Sequence, residues 1–190
     1  FAVGDRIRVA GQVVARSGRP SVRIRHLRPA ADEVAAEDLL PRSHRPADEL
    51  MGFAVHLASE VAHPGLRELA VAVLGDESLA HGWQTAPCSR SGHHAYQGGL
   101  LEHTVGVASL AQTLTQWHPR LDADLLVAAA LVHDVGHIRS WRLGATFEPT
   151  DEGRLLGHLA IGHEIIDQTA RRVGLAAEPR LSLLHAVAWH

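Results

Sequence analysis

Lysine is absent from all 190 residues, so every one of the 18 Lys-or-Arg positions is an arginine. That absence excludes a P-loop lysine, a Schiff-base lysine and a catalytic Ser-Lys pair together. It suits bidentate recognition of phosphate by guanidinium groups, and equally a genome's base composition. There is one cysteine, Cys88, which leaves no internal disulfide and agrees with a reducing compartment. No activating partner sits beside it in sequence, so it reads as a packing residue rather than a nucleophile. No apolar run approaches the length of a membrane span and no charged-then-apolar leader opens the chain, which gives a cytoplasmic protein without a membrane partner as the expectation. Repeats and low-complexity tracts are also missing. The length suits one well-buried domain with a small appendage, not two full cores.

Charge is present but unevenly spread. Residues 1–28 hold seven Arg against one Asp, a net of +6, while residues 29–190 hold eleven Arg against twenty acids, a net of −9. Such asymmetry points to a polyanion-binding end attached to something else. Within that end, Arg6-Ile7-Arg8-Val9 and Val22-Arg23-Ile24-Arg25 alternate basic and apolar residues, the period of half-buried strands with arginines outward. Ser17-Gly18-Arg19-Pro20 supplies the turn. Because a lone hairpin is barely stable in water, residues 1–30 read as the end of a larger β-barrel whose beginning is absent. An exposed hairpin with merely solvated arginines is the alternative.

From Pro29 the composition turns acidic and proline-containing, and residues 31–46 read as a linker with one short helical turn. Residues 47–190 read as helical. Leu50, Phe53, Leu57 and Val61 recur at helical spacing, and a second helix is predicted from Leu66 to Leu74. Ser89 to Gly99 reads as an irregular, histidine-rich loop. After it, Leu100, His103, Val107, Leu110, Leu114 and Trp117 share one predicted core stripe. A further helix is predicted from Gly153 to Val173, started by Thr150, Asp151 and Glu152, with Leu155, His158, Gly162, Ile165 and Thr169 on one stripe. A last helix opens at Glu178-Pro179.

The centre of the chain is Leu125 to Val132, eight unbroken apolar residues that run into His133 and Asp134. Asp122 is its predicted N-cap, and Gly136 its predicted left-handed C-cap. A helix apolar on all sides is buried, and an imidazole and a carboxylate at its end need a partner there. With 15 histidines in the chain, a His-Asp pair alone means little. Three separate helices, however, each turn a metal-binding side chain inward: His103, the His133-Asp134 pair, and His158. One shared cation satisfies them together. The predicted metal ligands are therefore His103, His133, Asp134 and His158, with His190 as a fifth; a second ion bridged by Asp134 fits the same set. Such ligands suit Mn, Fe, Zn, Ni or Mg alike.

The motifs His93-His94-Ala95-Tyr96-Gln97-Gly98-Gly99-Leu100-Leu101-Glu102-His103-Thr104, His133-Asp134-Val135-Gly136 and Glu152-Gly153-Arg154-Leu155-Leu156-Gly157-His158 resemble the HD superfamily of metal-dependent phosphohydrolases. They are most similar to its branch of 3′→5′ exoribonucleases of the YhaM type, which join an OB-fold to an HD domain. The resemblance implies a mainly α fold: an HD helical bundle preceded by a short β-hairpin remnant of an OB-fold. It implies a partial OB-fold over residues 1–30 and an HD phosphohydrolase domain over residues 47–190 that is incomplete at its C-terminal end. His190 resembles the first of the family's usual His-His pair, so a final Asp ligand is expected beyond it. Where the family often has Lys after the His-Asp pair, this chain has His137, which can meet a phosphate either as a protonated ring or through a neutral N–H.

On this resemblance the expected activity is metal-assisted hydrolysis of single-stranded RNA, or of DNA, from the 3′ end, with release of nucleoside monophosphates. Asp134, His137 and His94 are the expected catalytic residues. His93, Tyr96, Arg23 and Arg25 are the expected substrate contacts, although His93, His94 and Tyr96 also suit loop or core packing. A homo-oligomer would suit the family. Two alternatives stay open: an HD phosphohydrolase of free nucleotides or cyclic dinucleotides, and a non-catalytic nucleic-acid-binding module.

Overall fold

A computed structural model describes residues 1–2, 5–30, 35 and 37–190. They divide into two units, one of residues 1–40 with 143–146, the other of residues 41–142 with 147–190. The fold is mainly α, with a short β-hairpin ahead of the helices.

In the first unit, β1 (Ile7–Arg16) pairs antiparallel with β2 (Arg19–Pro29), so the turn is Ser17-Gly18, with Arg19 and Pro20 already in the strand. The register sets Val13 opposite Val22 and Val9 opposite Leu27. Between them Gly11 pairs with Ile24 but Ala10 with His26, so Arg25 is the extra residue of a bulge. The bulge keeps Val22, Ile24 and Leu27 on one face, although the spacing changes parity. The prediction of half-buried strands needs correction. Val13 is 74% exposed and Ile24 51%, because two strands alone give each other no cover over their faces. The short helical turn predicted for the linker is a 3-10 turn over Glu37–Leu39. Asp32 and Glu33 lie outside the described residues.

The second unit starts with α1 (Ala47–Ser59), which buries Leu50, Ala54, Leu57 and Ala58. Phe53 stays exposed on it, under the Arg45 guanidinium at 5.1 Å. The second predicted helix is α2 (Pro64–Leu74), with proline in its first turn and the His63 ring accepting from Leu66 N–H. The sequence reading passed over α3 (Glu77–Thr85), which Asp76 caps and whose Trp83 is fully buried. α4 (Gly99–Trp117) packs against α5 (Ala123–Val132), and α5 also meets α1, α2 and α9 (Ala177–Ala188). As predicted, Asp122 caps α5 by accepting from Leu125 N–H, and residues 127–132 are buried.

Two predicted stripes need correction. On α4 the buried face is Leu100, Leu101, Thr104, Val105, Ala108 and Ala111, while Leu110, Leu114 and Trp117 are exposed. The small side chains take the inner face, where α4 packs on α5. The single predicted helix over 153–173 is two helices, α7 (Asp151–Leu155) and α8 (Gly157–Arg172), broken where Gly157 takes φ +74. The break turns Leu155 out to 83% exposure and leaves His158 at the start of α8. Thr150 caps α7 as predicted, its hydroxyl accepting from Gly153 N–H.

Between α5 and α7 lie α6 (His137–Ser140), β3 (Trp141–Leu143) and β4 (Phe147–Pro149), the two strands forming a small sheet. Among the described residues, no helix is long and apolar enough to cross a membrane.

Candidate metal centre

Gly136 is not a left-handed cap: its backbone is right-handed, at φ −63 and ψ −19. It is glycine for space. A Cβ there would lie 1.9 Å from the carbonyl oxygen of His158 and 2.6 Å from the nitrogen of Gly162. The bare backbone thus lets α8 close on the turn after α5, and that approach brings His158 to Asp134.

Asp134 is 8% exposed and stands at the centre of the cluster. Its Oδ2 lies 3.4 Å from His133 Nε2 and 3.5 Å from His103 Nε2. Its Oδ1 lies 3.2 Å from His190 Nε2, 3.5 Å from His158 Nε2 and 3.8 Å from His137 Nε2. Each carboxylate oxygen therefore faces its own set of imidazoles. These imidazoles come from α4, the end of α5, α6, α8 and the residues after α9, so distant parts of the chain meet here.

The second ring nitrogens identify what each imidazole can do. His133 Nδ1 donates to the Ala130 carbonyl at 2.9 Å, and His190 Nδ1 to the Val187 carbonyl at 2.7 Å. A carbonyl can only accept, so in the neutral rings Nε2 carries the lone pair. His93 Nε2 sits 3.0 Å from His103 Nδ1, a partner that lets His103 present Nε2 in the same way. A lone pair 3.2 Å from a carboxylate oxygen is acceptor against acceptor, and His103 Nε2 and His133 Nε2 are also 3.2 Å apart. Such an array is stable only with protons or a cation inside it. The donor set therefore fits a divalent metal.

Electrostatics agree. Burial pushes His103 and His137 down to about 4, with neighbouring imidazoles adding to the shift on both. Burial lowers His158 as well. These rings are neutral near pH 7. For His133, burial opposes charge but Asp134 outweighs it and holds the ring above its ordinary value. Burial likewise opposes ionisation of Asp134, and the surrounding histidines overcome it, holding the carboxyl well below the usual range.

Around this centre lies the loop before α4. His94 has φ +46, a left-handed conformation uncommon for a residue with a side chain and one that marks strained functional positions. Its carbonyl makes a close approach: a Cβ on Gly99 would sit 2.1 Å from that oxygen. His94 Nδ1 is 2.6 Å from the Tyr96 hydroxyl, and the His93 and His103 rings are 4.9 Å apart. Among the predicted site residues, His93, His94, Tyr96, His103, His133, Asp134, His137, His158 and His190 all belong to the second unit. Arg23 and Arg25 do not, being exposed on β2 in the first.

Two neighbours were not expected at the site: Cys88, read as a packing residue, and Trp141. Cys88 Sγ and ligand atoms of His103 and Asp134 lie within 4.8 Å of one another. The thiol donates to the Gly99 carbonyl at 3.7 Å, and burial with the Asp134 charge pushes its ionisation up, so it packs there as a neutral group. Trp141 Nε1–H donates to His137 Nδ1 at 3.2 Å. No ligand spacing signals either residue; Trp141 stands four positions after His137, across a helix end.

Comparison with known proteins places this geometry. Residues 100–190 match the HD domain family, the stretch that carries His103, His133, Asp134, His137, His158 and His190. That match covers just under half of the chain. It is the family whose motifs the sequence resembled. Over its full length the chain is also similar to proteins named 3′-5′ exoribonuclease YhaM. It is 28% identical over 192 residues to that of Bacillus velezensis and 29% over 194 residues to that of Halalkalibacterium halodurans, covering 100% of this chain in both and 60% and 59% of the relatives. To that of Bacillus subtilis it is 26% identical over 186 residues, 97% of this chain and 59% of the relative. The chain thus spans about 60% of the length of the curated relatives it matches. No solved structure matches it significantly.

Proposed function

We propose that this chain is a metal-dependent phosphodiesterase that shortens single-stranded RNA, or DNA, from the 3′ end and releases nucleoside monophosphates. The observation that supports it is the convergence of imidazole nitrogens on the two oxygens of buried Asp134 within an HD domain. The named activity of the relatives supports the choice of RNA and of the 3′ end.

In this reading His103, His133, Asp134, His158 and His190 would hold the metal, as one ion or as two. Bound Mn, Fe, Zn, Ni or Mg supplies Lewis acidity toward the phosphate and lowers the pKa of water. The reaction consumes one water: its oxygen bonds to phosphorus, the bond from phosphorus to the leaving ribose oxygen breaks, and a proton ends on that oxygen. His137 donates a hydrogen bond to the phosphate, and His94 serves the leaving oxygen with Tyr96 orienting its ring. His93 orients His103 and contacts the substrate beside it. Residues 1–30 are read as strands of an OB-fold, residues 31–46 as a linker and residues 47–190 as the HD phosphohydrolase domain. Arg23 and Arg25 hold the strand's phosphates.

The test is digestion of 5′-labelled single-stranded RNA in each of the five metals, beside single-stranded DNA, mononucleotides and a cyclic dinucleotide. The reading requires labelled RNA that shortens stepwise from its 3′ end. Turnover of mononucleotides or the cyclic dinucleotide alone overturns the substrate, and salt-sensitive binding without any product overturns the enzyme.

A further inference from the structure

In their neutral forms His133 and His190 turn Nε2 toward Asp134 as a lone pair, because each Nδ1–H is held by a carbonyl. His137 has the opposite arrangement. Its Nδ1 receives a hydrogen bond from Trp141 Nε1–H at 3.2 Å. An indole nitrogen donates and never accepts, so Nδ1 must be the unprotonated nitrogen of His137. The single proton of the neutral ring then sits on Nε2, the atom aimed at the cluster. At 3.8 Å from Asp134 Oδ1 this N–H is too far for a hydrogen bond to that oxygen and is placed to donate to an oxygen arriving beside it.

The ring has little freedom to reverse. It is 9% exposed, stacked on His158 with centroids 4.1 Å apart and an interplanar angle of 13°, and flanked by the Trp141 ring at 6.3 Å and 22°. A ring flip would point Nδ1 at the cluster and lose the indole bond. Ligation through Nε2 would require the proton to move to Nδ1, where the indole N–H already points. His137, although close enough to Asp134 and His158 to be grouped with them as ligands, is thereby set apart from the ligand histidines.

We infer that Trp141 is a positioning residue: it fixes the His137 tautomer so that this ring presents a neutral N–H donor, not a lone pair, to the phosphate oxygen of the substrate. The inference rests on the phosphodiesterase reading for the identity of that oxygen, but the tautomer itself does not. It explains how a chain without lysine can offer the phosphate a donor here without a fixed charge.

Two measurements on the whole chain test it. The first is long-range proton–nitrogen NMR correlation of the histidine rings in metal-free protein near neutral pH. His137 should carry its proton on Nε2, whereas His133 and His190 carry one on Nδ1. In Trp141→Phe, which keeps an aromatic ring but loses the N–H, His137 should become a mixture of tautomers while the other two keep their Nδ1 proton. A His137 proton on Nδ1 in the wild type, or a spectrum unmoved in Trp141→Phe, overturns the inference whether or not the chain cleaves RNA. The second is kinetic. Trp141→Phe should lower kcat by about twofold to tenfold, the worth of one ordinary hydrogen bond. In a His137→Lys background, where the donor has no tautomer to fix, the same change should cost nothing further. An equal loss in both backgrounds would make Trp141 a packing residue only. Failure of every variant and the wild type to cleave RNA would count against the phosphodiesterase reading, and the NMR result would still decide the tautomer.

Discussion

The carbonyl oxygen of His158 lies where a side chain on Gly136 would have to be, 1.9 Å from the position of its Cβ. Contact between these two residues sets the distance from α8 to Asp134. Gly136→Ala should therefore push α8 outward, at a cost of about 1–3 kcal/mol from overpacking and of several degrees in Tm. It should also weaken metal binding, because His158 moves with α8. Gly162→Ala is the comparison, since its Cβ would meet Gly136 N at 3.3 Å and needs only a small adjustment. Thermal melts with and without metal distinguish the two; equal behaviour would refute the close-approach argument.

The two oxygens of Asp134 face different histidines, which predicts two separable half-sites. His103→Ala should lose the ion on the Oδ2 side and keep the other, while His158→Ala should do the reverse. Metal titration of each variant by calorimetry checks this. Complete loss of both ions in both variants would mean a single shared site.

Acid should destabilise the metal-free protein in a defined window. His103 and His137 sit at about 4 in the folded chain, against about 6.5 unfolded. Between those values the unfolded chain binds protons that the folded chain refuses, so stability falls as pH drops from about 6.5 toward 4 and levels off below. His133 works the other way: raised in the folded state, it contributes stability at low pH that is lost as pH rises through its folded value. Four lowered rings, His94, His103, His137 and His158, oppose one raised ring, so a net loss on acidification is expected. Melts of chelator-treated protein across this range measure it; a Tm that climbs on acidification would contradict the neutral-ring assignment.

Much of this was legible in the sequence, for reasons that can be named. The apolar run ending in His133-Asp134 admits one environment, and the caps Asp122 and Thr150 stand where side-chain chemistry puts them. The histidines His103 and His158 were found from helical spacing, yet their stripes were partly wrong. Leu110, Leu114 and Trp117 are hydrophobic enough for a core, but small residues such as Ala108 and Ala111 allow closer helix packing. Gly136 was read from its own backbone preference, whereas its reason lies 22 residues on, at His158. Likewise the roles of His133 and His137 depend on Ala130 and Trp141, and tautomers leave no trace in residue spacing.

A control separates stability from the metal centre. The Asp124 carboxylate accepts from Ala62 N–H at 2.7 Å and His63 N–H at 2.8 Å, tying α5 to the segment before α2. Asp124→Ala should cost about 1–3 kcal/mol, as charged hydrogen bonds to backbone do, with the metal content of the folded protein unchanged. Loss of metal at full folding would show that the centre is coupled to this tie.

The central claim is that Asp134 gathers imidazoles around divalent metal, and its most direct measurement is the metal content of folded protein after manganese loading and desalting, for wild type beside Asp134→Asn. The account predicts one to two equivalents in the wild type and none in the variant, which keeps the shape of the side chain but not its charge. A metal-free wild type, or an Asp134→Asn protein that retains its ions, would contradict it.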